Sequence, residues 1–177
     1  MSSVEWLTPD EQVAWRAIVE FCGRVVDGTD TDVAPFGLTG ADYEVLVHLS
    51  EARQGLRMSE LADRVLVSRS RLTYRVDRLE GRGLVVRDHC ETDRRGFIAR
   101  LTEGGAQLLD EVAPHHVRGV RDRLVDRLDP QEFLELGRTA AKVIGQTPGP
   151  ARRVRREHPP ERPCVEAGVT GWGGDLP

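Results

Sequence analysis

Residues 59–101 constrain the fold of this chain most, because the apolar period changes from helical to strand-like within about forty residues. From Ser59 to Leu66, the residues Leu61, Ala62 and Val65 fall on one side of a short helix. Leu66-Val67-Ser68 turns the chain, and Ser68 opens a second helix on which Leu72, Val76 and Leu79 follow the i, i+4, i+7 rule. That helix stops at Gly81-Arg82-Gly83. The clear strand signals follow at once: Leu84-Val85-Val86-Arg87 and Phe97-Ile98-Ala99-Arg100-Leu101, separated by nine residues that are polar except Cys90 and end in Gly96. Two short helices on a three-residue joint predict a helix-turn-helix, and the strand pair predicts a hairpin with a long charged tip.

Capping chemistry organises the rest. Thr8-Pro9-Asp10-Glu11 offers a hydroxyl cap, a proline at the first helical position and Glu at the third, after which Ala14, Ala17, Ile18, Phe21, Cys22 and Val25 recur at helical spacing. Thr39 caps another helix, with Leu38 and Tyr43 placed as a hydrophobic staple and Val45, Leu46 and Leu49 on its buried side. Thr102 caps a long helix carrying Ala106, Leu109, Ala113, Val117, Val120, Leu124 and Leu128, which Pro114 should kink or split. Asp129-Pro130-Gln131-Glu132 caps a last one, with Phe133, Leu136, Ala140, Val143 and Ile144 along one side. The fold class expected is therefore mostly α with a small β-hairpin. Composition shifts after Gln146: the 31 residues from Thr147 hold six prolines and five glycines, so 147–177 are expected to be a disordered tail, which also carries Arg152-Arg153-Val154-Arg155-Arg156.

Several function classes drop out. No apolar run approaches the ~18 residues of a membrane span, and the first residues lack the basic-then-apolar layout of a secretory signal, so a cytoplasmic protein is expected. Three scattered cysteines, Cys22, Cys90 and Cys164, form no CxxC, which argues against a disulfide framework or a cysteine zinc site. His115 and His116 point about 100° apart on a helix and do not readily share one metal, so they are expected at the surface or at an interface, and no metal is expected. No nucleotide loop, GxSxG, HExxH or facing carboxylate pair occurs, so no enzyme is expected.

Charge supplies the positive signal. The net charge of −4 conceals an island: residues 68–100 hold nine arginines against five acids, while the rest of 1–146 holds 11 bases against 20 acids. Clustered charge steers an anionic partner whatever the total. On a 100° wheel with Leu72 at zero, Val76 and Leu79 lie within about 40° of it, and Ser70, Arg71, Tyr74 and Arg78 fall on the far side. Guanidinium pairs bidentately with guanine O6 and N7, and hydroxyls bond base edges or phosphate, so these side chains suit the major groove of double-stranded DNA. Ser68 would cap the helix and leave amide hydrogens facing a phosphate. At the hairpin tip, Arg94 and Arg95 are long enough to enter a narrow minor groove.

Ser59-Glu60-Leu61-Ala62-Asp63-Arg64, Val67 through Glu80, Gly83-Leu84-Val85, and Asp93-Arg94-Arg95-Gly96 leading to Leu101-Thr102-Glu103-Gly104-Gly105 resemble, in order and spacing, the MarR (multiple antibiotic resistance regulator) family of bacterial transcription factors. The likeness covers residues 8–146. It implies a winged helix-turn-helix over 39–102, a homodimer built by helices in 8–28 and 103–146, and two recognition helices in successive major grooves of a pseudopalindromic operator. It implies a DNA-binding surface of Ser68, Ser70, Arg71, Thr73, Tyr74 and Arg78, with Asp93 bracing the wing and Arg95 entering the minor groove beside Arg94. Tyr74 departs from the family pattern, since many relatives carry arginine there. Also implied is a transcriptional repressor released by a small organic effector, with no other cofactor.

Dimerisation has independent support, because a helix of about 26 residues spans ~39 Å, longer than one such domain covers, and two-fold symmetry predicts half-sites about 10 base pairs apart. Oxidation of Cys90, beside His89 in the wing, is an alternative input signal, whereas Cys22 is expected to be buried and inert. A winged-helix module that binds only protein is the alternative without DNA, and the arginine cluster argues against it.

Overall fold

The computed structural model describes residues 4–145 apart from 53, 66, 91 and 92, and for residues 90 and 93–95 the backbone alone. The tail expected from 147 onward lies outside the described residues. Helix α1 (Pro9–Val33) leads through a 3-10 turn (Ala34–Phe36) to α2 (Gly40–Glu51), strand β1 (Leu56–Arg57), α3 (Met58–Arg64) and α4 (Arg69–Gly81). Strands β2 (Val85–Cys90) and β3 (Asp93–Leu101) precede α5 (Glu103–Arg123), a second 3-10 turn (Val125–Arg127) and α6 (Pro130–Val143).

Local chemistry sets the helix starts. Thr8 and Glu11, Thr39 and Asp42, and Asp129 and Glu132 each form a reciprocal capping box, while Ser68 and Thr102 accept from the Arg71 and Gly105 amides. The sheet is antiparallel in the order β1-β3-β2. Two details depart from expectation. The hairpin strands run on to Cys90 and from Asp93, because backbone pairing tolerates polar side chains, and β1 adds a third strand through Leu56 opposite Ala99.

The core lies in the middle of the chain. Val45, Leu46 and Leu49 of α2 pack with Leu61 and Ala62 of α3, Leu72, Val76 and Leu79 of α4, and Val85 and Ala99 of the sheet. From the outer helices only Val33 and Val112 are fully buried apolar residues, and α6 buries none. Helix α1 instead exposes Val13, Trp15, Ile18, Val19, Phe21, Val25 and Val26 along its length. Cys22 shares this face and is exposed, a correction to the expectation that it is buried: its apolar neighbours lack anything to pack against within one subunit.

Helix α5 passes through Pro114 without ending and spans 21 residues, shorter than expected. It breaks after Arg123, where Leu124 leaves helical geometry (φ −138°, ψ −60°) and the Arg127 side chain donates to the Asp122 carbonyl at 2.9 Å. Near this end α5 crosses α1 closely: a Cβ at Gly119 would run into the Asp32 carboxylate, which the Arg123 guanidinium holds through both terminal nitrogens. His116 completes the crossing, with Nδ1 3.3 Å from Asp32 Oδ2 and its ring centroid 4.8 Å from that of Tyr43 on α2. Burial alone would raise the Asp32 pKa, but hydrogen bonds and charge from Arg123 and His116 outweigh it and hold the carboxyl below its ordinary value.

Candidate nucleic-acid interface

Helix α4 presents its surface because its other sides are occupied. Leu72, Val76 and Leu79 face the core, and the Ser68 hydroxyl fixes the first turn by accepting from the Arg71 amide at 3.4 Å, with the Ser70 hydroxyl 3.2 Å away. The solvent side carries Ser68, Arg69, Ser70, Arg71, Thr73 and Tyr74, all exposed, with Tyr74 68% accessible. Arg69 and Arg71 have no acidic partner among the described residues. The Thr73 hydroxyl donates to the Arg69 carbonyl at 2.9 Å, which uses its proton and leaves the oxygen able to accept.

Arg78 adds a contact that the sequence reading lacks. It is exposed, as expected beside Arg71 and Tyr74, with 40% of its side chain open to solvent, yet its guanidinium also reaches the fully buried carboxylate of Asp42 on α2. Arg75 follows, with Nη1 3.6 Å from Asp42 Oδ1 and 3.2 Å from the Thr39 hydroxyl. Wheel angle does not separate Arg78, about 120° from Leu72, from Arg71, about 100° away on the same side; the difference is that a side chain this long can reach back to a charge that the wheel does not include. Sequence reasoning recognised Thr39 as a helix cap and missed Asp42 and Arg75; the signal was there in the Asp at the third helical position and the i, i+3 spacing of two arginines.

The opposite flank of α4 is tied to the wing. Arg87 of β2 bridges Asp77 at 2.6 Å and Glu80 at 2.5 Å, and its amide donates to Glu80 Oε1 at 2.9 Å. The hydrogen bond from the Arg87 side chain is the main influence holding the Glu80 carboxyl below its usual range, and the same contact raises the Arg87 pKa. Arg100 of β3 pairs with Asp88 at 2.7 Å, and Arg82 donates to the Gly37 and Phe36 carbonyls at 2.7 and 3.0 Å. The arginine island is thus divided: Arg69 and Arg71 face solvent, Arg75, Arg78, Arg82, Arg87 and Arg100 hold the domain together. The side chains of Cys90, Asp93, Arg94 and Arg95 lie outside the described residues.

The ring of His115 lies edge-on to Phe36 with centroids 5.1 Å apart, and His116 is engaged with Asp32 and Tyr43, so these histidines serve the junction of α1, α2 and α5. Among the described residues no helix is long and apolar enough to cross a membrane.

An exposed arginine and aromatic crest on a helix-turn-helix, flanked by a strand pair, can recognise a polyanionic groove, and comparison with known proteins agrees. Residues 36–96 match the model of the MarR family. The crystal structure of AbsC, a MarR family transcriptional regulator from Streptomyces coelicolor, is 45% identical, covers 80% of this chain and 96% of its own, and superposes with a TM-score of 0.74. A second MarR family regulator from the same organism, solved in complex with DNA, is 38% identical over 85% of this chain and 96% of its own, with a TM-score of 0.77. The transcriptional repressor CouR bound to a 23-mer DNA duplex is 30% identical over 79% of this chain and 99% of its own, TM-score 0.70. CouR from Rhodococcus jostii has also been solved with p-coumaroyl-CoA, at 25% identity over 76% of this chain and 93% of its own, TM-score 0.67.

Proposed function

The chain belongs to the MarR family of transcriptional regulators and is not an enzyme, and from that premise we propose that it is a cytoplasmic repressor that binds a pseudopalindromic operator as a homodimer. The observation that carries this reading is the crest of α4: Ser70, Arg71 and Tyr74 stand exposed on a rigid helix whose other sides are packed or ion-paired. Arg71 is the base-reading cation, suited to guanine O6 and N7; the Tyr74 ring suits a thymine methyl, and Ser68, Ser70 and Thr73 suit phosphate or base edges. Arg94 and Arg95 of the wing serve the adjacent minor groove, and Asp93 braces the wing. The uncovered apolar faces of α1 and α6 support the dimer, which repeats the reading helix about one turn of duplex away. A small organic effector that favours another spacing of the two helices releases the DNA, a role supported by the p-coumaroyl-CoA complex of CouR.

Selection of duplexes from a random library by the purified protein tests this. The expected product is an inverted repeat with half-site centres about 10 base pairs apart. Arg71→Ala should lower affinity for the selected duplex by tenfold or more and leave the melting curve intact, in keeping with the ~1–3 kcal/mol of a bidentate base contact. Failure to enrich any sequence, or an unchanged affinity for Arg71→Ala, would refute the reading.

A further inference from the structure

Asp42 is the one charged residue among the fully buried described residues. It sits at the third position of α2, and its Oδ2 accepts from the Thr39 amide at 2.8 Å and the Thr39 hydroxyl at 2.6 Å. A capping box needs no more than this, as the chain itself demonstrates. The equivalent carboxylates of α1 and α6, Glu11 and Glu132, complete the same box from exposed positions and pair with no arginine among the described residues. Asp42 alone is sunk beneath another helix and takes Arg78 and Arg75 from it, across 36 residues of chain in the case of Arg78. Burying a carboxylate costs several kcal/mol unless charge and hydrogen bonds compensate, so this arrangement is more than a helix cap.

We propose that Asp42 is a positioning residue for DNA reading: it fixes the roll of α4 about its axis by holding Arg78 and Arg75, and Arg78 makes no contact with DNA. This rests on the reading that α4 enters the major groove. The apolar contacts of Leu72, Val76 and Leu79 hold α4 on the core but are non-directional, so by themselves they permit roll. The Arg78–Asp42 contact is a charge-assisted hydrogen bond, directional and short, whereas Arg75 donates to the Thr39 hydroxyl and adds its charge to Asp42 from 3.6 Å. Arg75 and Arg78 lie on one flank of the helix, and Asp77 and Glu80 on the other are held by Arg87, so the crest of Ser70 and Tyr74 is fixed between two ties of opposite polarity. Precision matters because a roll of about 20° carries a group ~6 Å from the axis sideways by ~2 Å, several times the ~0.5 Å range of a good hydrogen bond.

The test compares binding of the full chain to the library-selected duplex and to an unrelated duplex of equal length, across a salt series, for Asp42→Asn, Arg78→Ala, the double variant and Arg78→Lys. Positioning predicts that Asp42→Asn and Arg78→Ala each reduce the ratio of specific to non-specific affinity by tenfold or more, that the double variant is no worse than the poorer single one, and that Arg78→Lys recovers part of the loss. The salt slope for the unrelated duplex stays as in the parent, since no phosphate contact has been removed. Arg78 is partly exposed and leaves no cavity, so its variants carry the test if Asp42→Asn fails to fold. A slope reduced by about 0.9 in Arg78→Ala, with both affinities falling together, would identify a phosphate contact and overturn the proposal. So would an unchanged ratio in Arg78→Ala, or additive losses in the double variant. If Arg71→Ala also leaves specific binding unchanged, it is the groove reading that fails, and positioning fails with it.

Discussion

Asp32→Asn probes the α1–α5 crossing, because it removes a charge while keeping the volume of a side chain that is only 9% exposed. The carboxylate serves Arg123 and His116 on α5 at once, and Gly119 gives it room. Breaking a fully buried pair costs about 3–5 kcal/mol, and losing an exposed one well under about 1 kcal/mol. Arg123 is 33% exposed and can recover part of its hydration, so the expected loss is about 2 kcal/mol, or a Tm lowered by about 4–8 °C in a chain of this size. Removing the exposed Arg24–Glu20 pair, with side chains 77% and 65% exposed, is the control and should cost less than about 0.5 kcal/mol. The loss should also depend on pH. Arg123 and His116 hold the Asp32 carboxyl below its ordinary value despite burial, so its stabilisation is present above the unfolded value near 3.9 and is lost as pH falls through the folded one. Denaturant unfolding of parent and variant at a fixed protomer concentration should therefore show the full difference near pH 7 and a shrinking one below about pH 4. Equal stability near pH 7, or a difference that persists undiminished into acid, would refute this assignment.

Other perturbations separate reading, folding and assembly. Leu79→Ala empties a fully buried position of α4 and should cost about 2–5 kcal/mol, lowering thermal stability and DNA affinity together in melts and gel shifts. Ser68→Ala removes the cap of α4 and should cost about 1 kcal/mol in denaturant unfolding. Ile18→Glu places a charge on the uncovered face of α1, where Ile18 is 54% exposed in one subunit, and should yield a folded monomer by sedimentation that no longer selects the operator; a dimer of parental affinity would mean that another surface pairs the subunits.

What the sequence revealed was local, and what it concealed was distant. Caps at Thr8, Thr39, Ser68, Thr102 and Asp129 are readable because a cap joins residues three apart, and Leu72, Val76 and Leu79 because a periodic stripe states its own inner face. Strand β1 has two residues, too few for a period, and exists because Leu56 and Arg57 find β3 some forty residues later. The end of α5 was hidden by apolar spacing that continues to Leu128 after the helix has broken. At the site, the exposure of Ser70, Arg71, Tyr74 and Arg78 follows from wheel angle, whereas the ion pair of Arg78 does not, because a flexible guanidinium is directed by Asp42 on another helix. Exposed Cys22 belongs to the same class of error: its surroundings are decided by what covers α1, which one subunit lacks.

Dimethyl sulfate footprinting on the library-selected duplex bears most directly on the groove reading, since the reagent methylates guanine N7 in the major groove, the atom assigned to Arg71. Two protected guanines are expected, related by the two-fold axis and about one helical turn apart, both becoming reactive with Arg71→Ala while the protein remains bound in excess. Guanines that stay fully reactive beneath parental protein, or protection that survives loss of Arg71, would contradict it.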